Sequence, residues 1–127
     1  MHIEHIAIWT RHLEEMKTFY ETNFAARANQ KYTNPKTGFE SYFLTFASGP
    51  RLELMQRPDI ADIQTAKQYV GYAHLAFSVG SKEEVDRLTQ RLATDSYQVV
   101  SEPRTTGDGY YESVVLDPDG NRVEITI

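Results

Sequence analysis

The sequence predicts an α+β fold of two tandem β-α-β-β-β modules, their strands forming a curved mixed sheet around a metal cleft. Three observations carry this expectation: an internal repeat, apolar alternation along the repeated strands, and four metal-type side chains at repeat-equivalent places. The organising stretch is Val70-Gly71-Tyr72-Ala73-His74-Leu75-Ala76-Phe77-Ser78-Val79. It repeats the opening Ile3-Glu4-His5-Ile6-Ala7-Ile8-Trp9 at an offset of 74 − 5 = 69 residues. Gly49-Pro50-Arg51-Leu52-Glu53-Leu54 reads against Gly120-Asn121-Arg122-Val123-Glu124-Ile125, with 124 − 53 = 71. Between these anchors Phe39-Glu40-Ser41 echoes Tyr111-Glu112-Ser113. Two copies indicate a duplicated half-domain, not a solenoid.

The elements follow in order. A first strand from His2 to Trp9 puts Ile6 and Ile8 on one face and Ile3, His5, Ala7 and Trp9 on the other. Thr10 is placed to cap a helix with Glu14 and Glu15 in its first turn and Leu13, Met16, Phe19, Tyr20 and Phe24 along one stripe. Strands are then expected at Ala28–Thr33, Phe39–Ala47 and Arg51–Gln56, separated by Asn34-Pro35-Lys36-Thr37-Gly38 and Ser48-Gly49-Pro50. A connecting segment runs from Pro58 to Tyr69, where Ile60, Ile63, Ala66 and Lys67 are spaced for a short helical turn. After the His74 strand, Ser81-Lys82-Glu83-Glu84 matches a capping box. Val85, Leu88 and Leu92 give the second helix its stripe, with Val85 and Leu88 standing where Met16 and Phe19 stand in the first copy. Strands at Tyr97–Glu102, Tyr110–Leu116 and Arg122–Ile127 complete the second module, with a tight turn at Asp117-Pro118-Asp119-Gly120. The modules thus cover about 1–57 and 72–127 of a single domain spanning 1–127, with a linker at about 58–71.

Composition narrows the chemistry. The 127 residues suffice to bury roughly two-thirds of the unfolded surface. With no cysteine, disulfides and thiolate metal sites are excluded together. No apolar run approaches the roughly 20 residues of a bilayer span, and no basic-then-apolar leader is present. A cytoplasmic location without membrane association is therefore the expectation. Net charge is −5 and lysine and arginine do not cluster, which argues against nucleic acid and for a small-molecule substrate.

Strand parity then isolates a constellation. Leu52 and Leu54 share one face while Arg51, Glu53 and Met55 share the other; Val123, Ile125 and Ile127 likewise oppose Arg122, Glu124 and Thr126. Ile6 and Ile8 oppose His5, and Leu75, Phe77 and Val79 oppose His74. Each aliphatic side is free to take a helix, and each polar side presents one ligand: His5, Glu53, His74, Glu124. Two imidazoles and two carboxylates suit one divalent ion per site, Ni²⁺ or Zn²⁺ first, with Co²⁺, Mn²⁺ and Fe²⁺ also compatible. A six-coordinate ion would leave two positions for water or substrate. His2 and His12 have no such partners and read as surface residues. Gly107-Asp108-Gly109 precedes no helix and reads as a loop, not a phosphate cradle.

On these residues, with Gly71-Tyr72-Ala73-His74-Leu75-Ala76-Phe77 and Asp117-Pro118-Asp119-Gly120-Asn121-Arg122-Val123-Glu124, the chain resembles the vicinal oxygen chelate superfamily, and within it glyoxalase I, or lactoylglutathione lyase. The resemblance runs over essentially the whole length. It implies two βαβββ modules lining a metal cleft, and a lyase or isomerase acting on an α-hydroxycarbonyl compound such as a thiohemiacetal through a metal-stabilised enediolate. Glu124 would move the proton, Glu53 would assist, and His5 and His74 would remain fixed ligands. It also implies a homodimer in which each site takes His5 and Glu53 from one chain and His74 and Glu124 from the other. The same superfamily contains Fe²⁺ extradiol dioxygenases and metal-free antibiotic-binding proteins. The first need a free position that Glu53 fills, and the second generally lack the ligand quartet. One departure stands out: where bacterial glyoxalase I commonly carries an arginine for glutathione, this chain has Trp9, with Arg11 two residues on. The substrate expected beside Trp9 is therefore more apolar and aromatic than the glutathione adduct of methylglyoxal. Trp9, Arg11, Arg51 and Arg122 are the candidate substrate-binding residues.

Overall fold

A computed structural model describes residues 1–61, 68 and 70–127. The chain is α+β and divides into two compact units at residues 64 and 65. The short helical turn expected around Ile63, Ala66 and Lys67 lies outside the described residues.

In the first unit the order is β1 (His5–Trp9), α1 (Leu13–Phe24), β2 (Arg27–Ala28), β3 (Tyr32–Asn34), β4 (Phe39–Thr45) and β5 (Arg51–Gln56). β1 runs parallel to β5, β5 antiparallel to β4, and β2 and β3 both pair antiparallel with β4. Leu52, Leu54, Tyr42 and Leu44 pack under Leu13, Met16, Phe19 and Tyr20 of α1, and all are buried. Burial of each such large apolar side chain contributes about 1.5–3 kcal/mol before ordering costs. This is the stripe-on-face packing that the periodicity predicted.

Two local expectations are corrected here. Thr10 does not cap α1: its N–H donates to the Met55 carbonyl at 2.8 Å, continuing the β1–β5 ladder. Its hydroxyl accepts the His12 N–H at 2.8 Å, and His12 takes the N-cap position without a side-chain cap. The strand expected at Ala28–Thr33 is split into β2 and β3. At the break, the Asn29 side-chain oxygen accepts the Phe43 N–H at 2.8 Å while the Asn29 N–H donates to the Phe43 carbonyl at 3.0 Å. The asparagine amide thus replaces one ladder bond and lets the chain bend away.

The second unit carries β6 (Leu75–Ser78), α2 (Lys82–Thr94), β7 (Val99–Thr105), β8 (Tyr111–Leu116) and β9 (Arg122–Thr126), with sheet order β6-β9-β8-β7. The Ser81 hydroxyl accepts the Glu84 N–H at 3.2 Å, as the capping box requires. Val85, Leu88 and Leu92 are buried against Val115, Val123 and Ile125. Thr89 and Ser113 share a buried hydrogen bond of 2.6 Å within this layer. β7 begins later than expected because the Tyr97 N–H closes the end of α2 on the Leu92 carbonyl at 2.9 Å. Its register against β8 slips twice before Arg104, at the edge position where Pro103 is tolerated. The acidic turn holds: Asp117, almost fully buried, accepts N–H groups from Asp119 and Asn121 at 3.0 and 2.8 Å, and Gly120 supplies the left-handed residue at φ 82°.

The ladders also correct the repeat. Phe43 pairs with Glu53 and Val114 with Glu124, so β4 and β8 correspond at 114 − 43 = 71 residues, the same offset as the glutamates. The echo of Phe39-Glu40-Ser41 in Tyr111-Glu112-Ser113 is therefore one residue out of register. The true counterpart of Glu112 is Ser41.

Candidate metal centre

Each unit sets one histidine beside one glutamate, on the sheet face turned away from its helix. In the first, His5 pairs with Arg51 and Ala7 with Glu53 along the β1–β5 ladder. Alternation along both strands keeps these side chains on one side. His5 Nε2 stands 3.8 Å from Glu53 Oε2, and the Glu53 side chain is only 14% exposed. His5 Nδ1 meets the Glu4 carboxylate, which also receives the Arg51 guanidinium. A carboxylate only accepts, so Nδ1 donates, and the neutral ring keeps its lone pair on Nε2, the nitrogen nearer Glu53. Phe43 closes on the imidazole edge-to-face, with centroids 5.5 Å apart.

The second unit repeats the plan. Ala76 pairs with Glu124 across β6 and β9, and His74 lies two residues before Ala76, just ahead of the strand. His74 Nε2 stands 3.2 Å from Glu124 Oε2, whose side chain is 15% exposed. In both units an alanine is the lateral partner of the carboxylate, so no bulky side chain crowds it from that strand.

One residue here escaped the sequence reading. Glu112 pairs with Thr126, two places along β9 from Glu124 and on the same face, and its carboxylate lies 3.5 Å from Arg104 Nη2. Burial first, and then the Glu112 carboxylate, push the Glu124 carboxyl above the ordinary range, while His74 pulls the other way. The available signal was the strand alternation that puts Glu112 on the face of Val114 and opposite Ser113 and Val115, which the misregistered echo concealed.

The donor sets fit a metal differently. Nitrogen and oxygen ligands held about 2.0–2.2 Å from one ion stand about 3.0 Å apart at a right angle and about 3.4 Å apart at a tetrahedral angle. The 3.2 Å of His74 and Glu124 falls inside that interval, whereas the 3.8 Å of His5 and Glu53 requires a small side-chain closure. Among the described residues no group of three or more His, Cys, Asp or Glu able to hold an ion stands together. The structure thus brings the four candidate ligands together as two pairs.

The remaining candidates are placed as follows. Trp9 pairs with Met55 on the His5 face and is 42% exposed. Arg51 lies over the Phe43 ring at 4.1 Å. Arg122 pairs with Leu116 on the Glu124 face. Arg11 lies beyond β1 and donates to the Ile60 carbonyl. No helix among the described residues is long and apolar enough to cross a membrane.

Comparison with known proteins agrees with this architecture. The structure is similar to the trypanothione-dependent glyoxalase I of Leishmania major, with a TM-score of 0.79 and 22% identity over 99% of this chain and 86% of that one. At this identity the likeness speaks for the fold. Two uncharacterized Bacillus subtilis (strain 168) proteins are similar in sequence. YwkD is 27% identical over 97% of this chain and 94% of its own length. YqjT is 41% identical over 59 residues, so the match spans less than half of YqjT. Residues 2–125, which take in both histidine–glutamate pairs and both sheets, match the sequence pattern of one family. The chain therefore belongs to the Glyoxalase/Bleomycin resistance protein/Dioxygenase superfamily.

Proposed function

We propose that this protein is a metal-dependent lyase or isomerase of glyoxalase type, acting on a small α-hydroxycarbonyl compound such as a thiohemiacetal. The observation that carries the reading is the recurrence, in both units, of a histidine Nε2 facing a half-buried glutamate whose ladder partner is alanine. In this reading the two units belong to one domain, with the connection at about 58–71. His5, Glu53, His74 and Glu124 together hold one divalent ion, Ni²⁺ or Zn²⁺ before Co²⁺, Mn²⁺ or Fe²⁺. Such an ion, when bound, withdraws electrons from two vicinal oxygens and so acidifies the intervening C–H.

The chain's own residues do the rest. Glu124 takes the proton and returns it to the neighbouring carbon. Glu53 assists from the first unit, and His5 and His74 remain fixed ligands. Trp9, Arg11, Arg51 and Arg122 contact the substrate. The protein works as a cytoplasmic homodimer, each site drawing His5 and Glu53 from one copy and His74 and Glu124 from the other.

The decisive experiment combines metal analysis with exchange of the substrate α-hydrogen for deuterium in heavy water. Wild type should retain about one ion per chain and exchange the hydrogen. Glu124→Gln should lose exchange, and His5→Ala and His74→Ala should each lose the metal. Mixing the two histidine variants should restore exchange if the pairs come from different copies. Stoichiometric metal retained by both histidine variants refutes the quartet, and oxygen uptake on catechols would redirect the reading to a dioxygenase.

A further inference from the structure

The His5 face of the first sheet carries a row of side chains that the metal pair does not use. Trp9 pairs with Met55, Met55 with Ser41, and Ser41 with Tyr32, so one row crosses β1, β5, β4 and β3. Phe39, partnered by Asn34, fills the next position. Its ring meets Trp9 edge-on at 6.1 Å and 88°, and Tyr32 at 6.1 Å and 56°. These rings are not core: Leu52 and Leu54 take the opposite, helix-covered side, while Trp9 and Tyr32 remain 42% and 54% exposed.

Two further facts say what such a shelf accepts. The row lies two residues along the strands from the Ala7–Glu53 pair, about 6.6 Å, the reach of a ring joined through one or two bonds to a group held at Glu53. The Arg57 guanidinium lies over the Trp9 ring at 5.2 Å, but its charge is already answered by Asp59 at 2.5 Å. Exposed ring edges beside an ion-paired guanidinium favour a flat apolar group.

We propose that Trp9, Phe39, Tyr32 and Met55 form a subsite for a neutral aryl group on the substrate whose reacting oxygens lie at Glu53. The reacting end rests on the function proposed above; the shelf does not. Trp9 is the only tryptophan in the 127 residues, so its fluorescence reports this place alone.

Metal-loaded protein is titrated with benzohydroxamate and with acetohydroxamate, which offer the same two vicinal oxygens with and without a ring. The aryl compound should bind at least tenfold more tightly and quench Trp9. In Phe39→Ala and Tyr32→Ala the ratio of the two affinities should fall to within about threefold, with Phe39→Leu as the variant that keeps apolar bulk if alanine unfolds the sheet. Equal affinities in wild type overturn the shelf and leave the metal reading standing. If neither compound binds, the metal reading falls, and 2-naphthol added to metal-free protein decides the shelf. A saturable quench of Trp9 that Phe39→Leu weakens supports it, and no saturable quench overturns it. Trp9 emission that shifts only on dilution to monomer, without response to either ring compound, means that a second copy covers this face, and also overturns it.

Discussion

Removing the Glu4 carboxylate tests the proposed metal centre without touching any of its four ligands. Glu4 accepts from His5 Nδ1 and holds Arg51 on its other oxygen. The His5 hydrogen bond is the first cause holding its carboxyl below the ordinary range; burial opposes it, and Arg51 adds to the lowering. A carboxylate behind a ligating imidazole fixes the tautomer and strengthens the donor, and its loss typically costs 10–100-fold in metal affinity. The Glu4 side chain is half exposed, so water partly replaces it, and the lower end applies. Glu4→Gln should weaken the ion about tenfold, and Glu4→Ala somewhat more, because glutamine retains an acceptor oxygen. Competition against a chromophoric chelator at fixed pH measures both. In a His5→Ala background the same change should have no further effect, since there is no ring to orient. Unchanged affinity in both Glu4 variants, or an equal fall with His5 absent, would refute the reasoning.

Three other outcomes follow from the same geometry. Ala76→Leu, beside Glu124 on β6, should abolish exchange of the substrate α-hydrogen while leaving far-UV circular dichroism intact. Ser81→Ala, which deletes the cap on the Glu84 N–H, should destabilise the protein by about 1 kcal/mol in urea unfolding. In metal-free protein Glu124 binds its proton more tightly folded than unfolded, so the stability it contributes is complete below the unfolded carboxylate range and is lost as pH rises through its folded value. The melting temperature of Glu124→Gln should therefore decline less than that of wild type as pH rises across that interval.

Most of the fold was legible because the helices are two-sided and the strands alternate. Leu52, Leu54, Val123 and Ile125 could face only a helix, and β5 and both helices appear where periodicity placed them. The misses came where a side chain competes with the backbone. Asn29 breaks a strand with its amide, and Thr10 keeps to the β1–β5 ladder instead of capping α1. Residue identity alone does not reveal which of two hydrogen-bonding roles a threonine or asparagine will take. The two histidine–glutamate pairs were legible for the opposite reason: His5 and Glu53 lie on adjacent parallel strands, and His74 stands immediately before the strand that runs parallel to that of Glu124, so alternation points each pair to a common face. Glu112 was hidden because a match of three residues was read at an offset of 72, where the ladders run at 71.

That one-residue difference separates the two halves chemically. At the place where the second unit has Glu112, the first has buried Ser41, so no carboxylate stands at the position beside Glu53 that Glu112 takes beside Glu124. Conversely, Glu4 backs His5, while its counterpart at the 69-residue offset, before His74, is Ala73, which has no carboxylate. The first unit thus supports its imidazole, and the second raises the proton affinity of its glutamate. A general base must hold a proton partway through a turnover, whereas a ligand need only stay ionised. The proposed function gives the first task to Glu124, which Glu112 crowds, and an assisting part to Glu53, beside the supported histidine. Exchange of Ser41 and Glu112 between the units is the corresponding test. Ser41→Glu should raise the proton affinity of Glu53, and Glu112→Ser should lower that of Glu124, both read from carboxyl chemical shifts in metal-free protein. If Glu112→Ser leaves the Glu124 titration unmoved, the carboxylate neighbour is not what distinguishes the two halves.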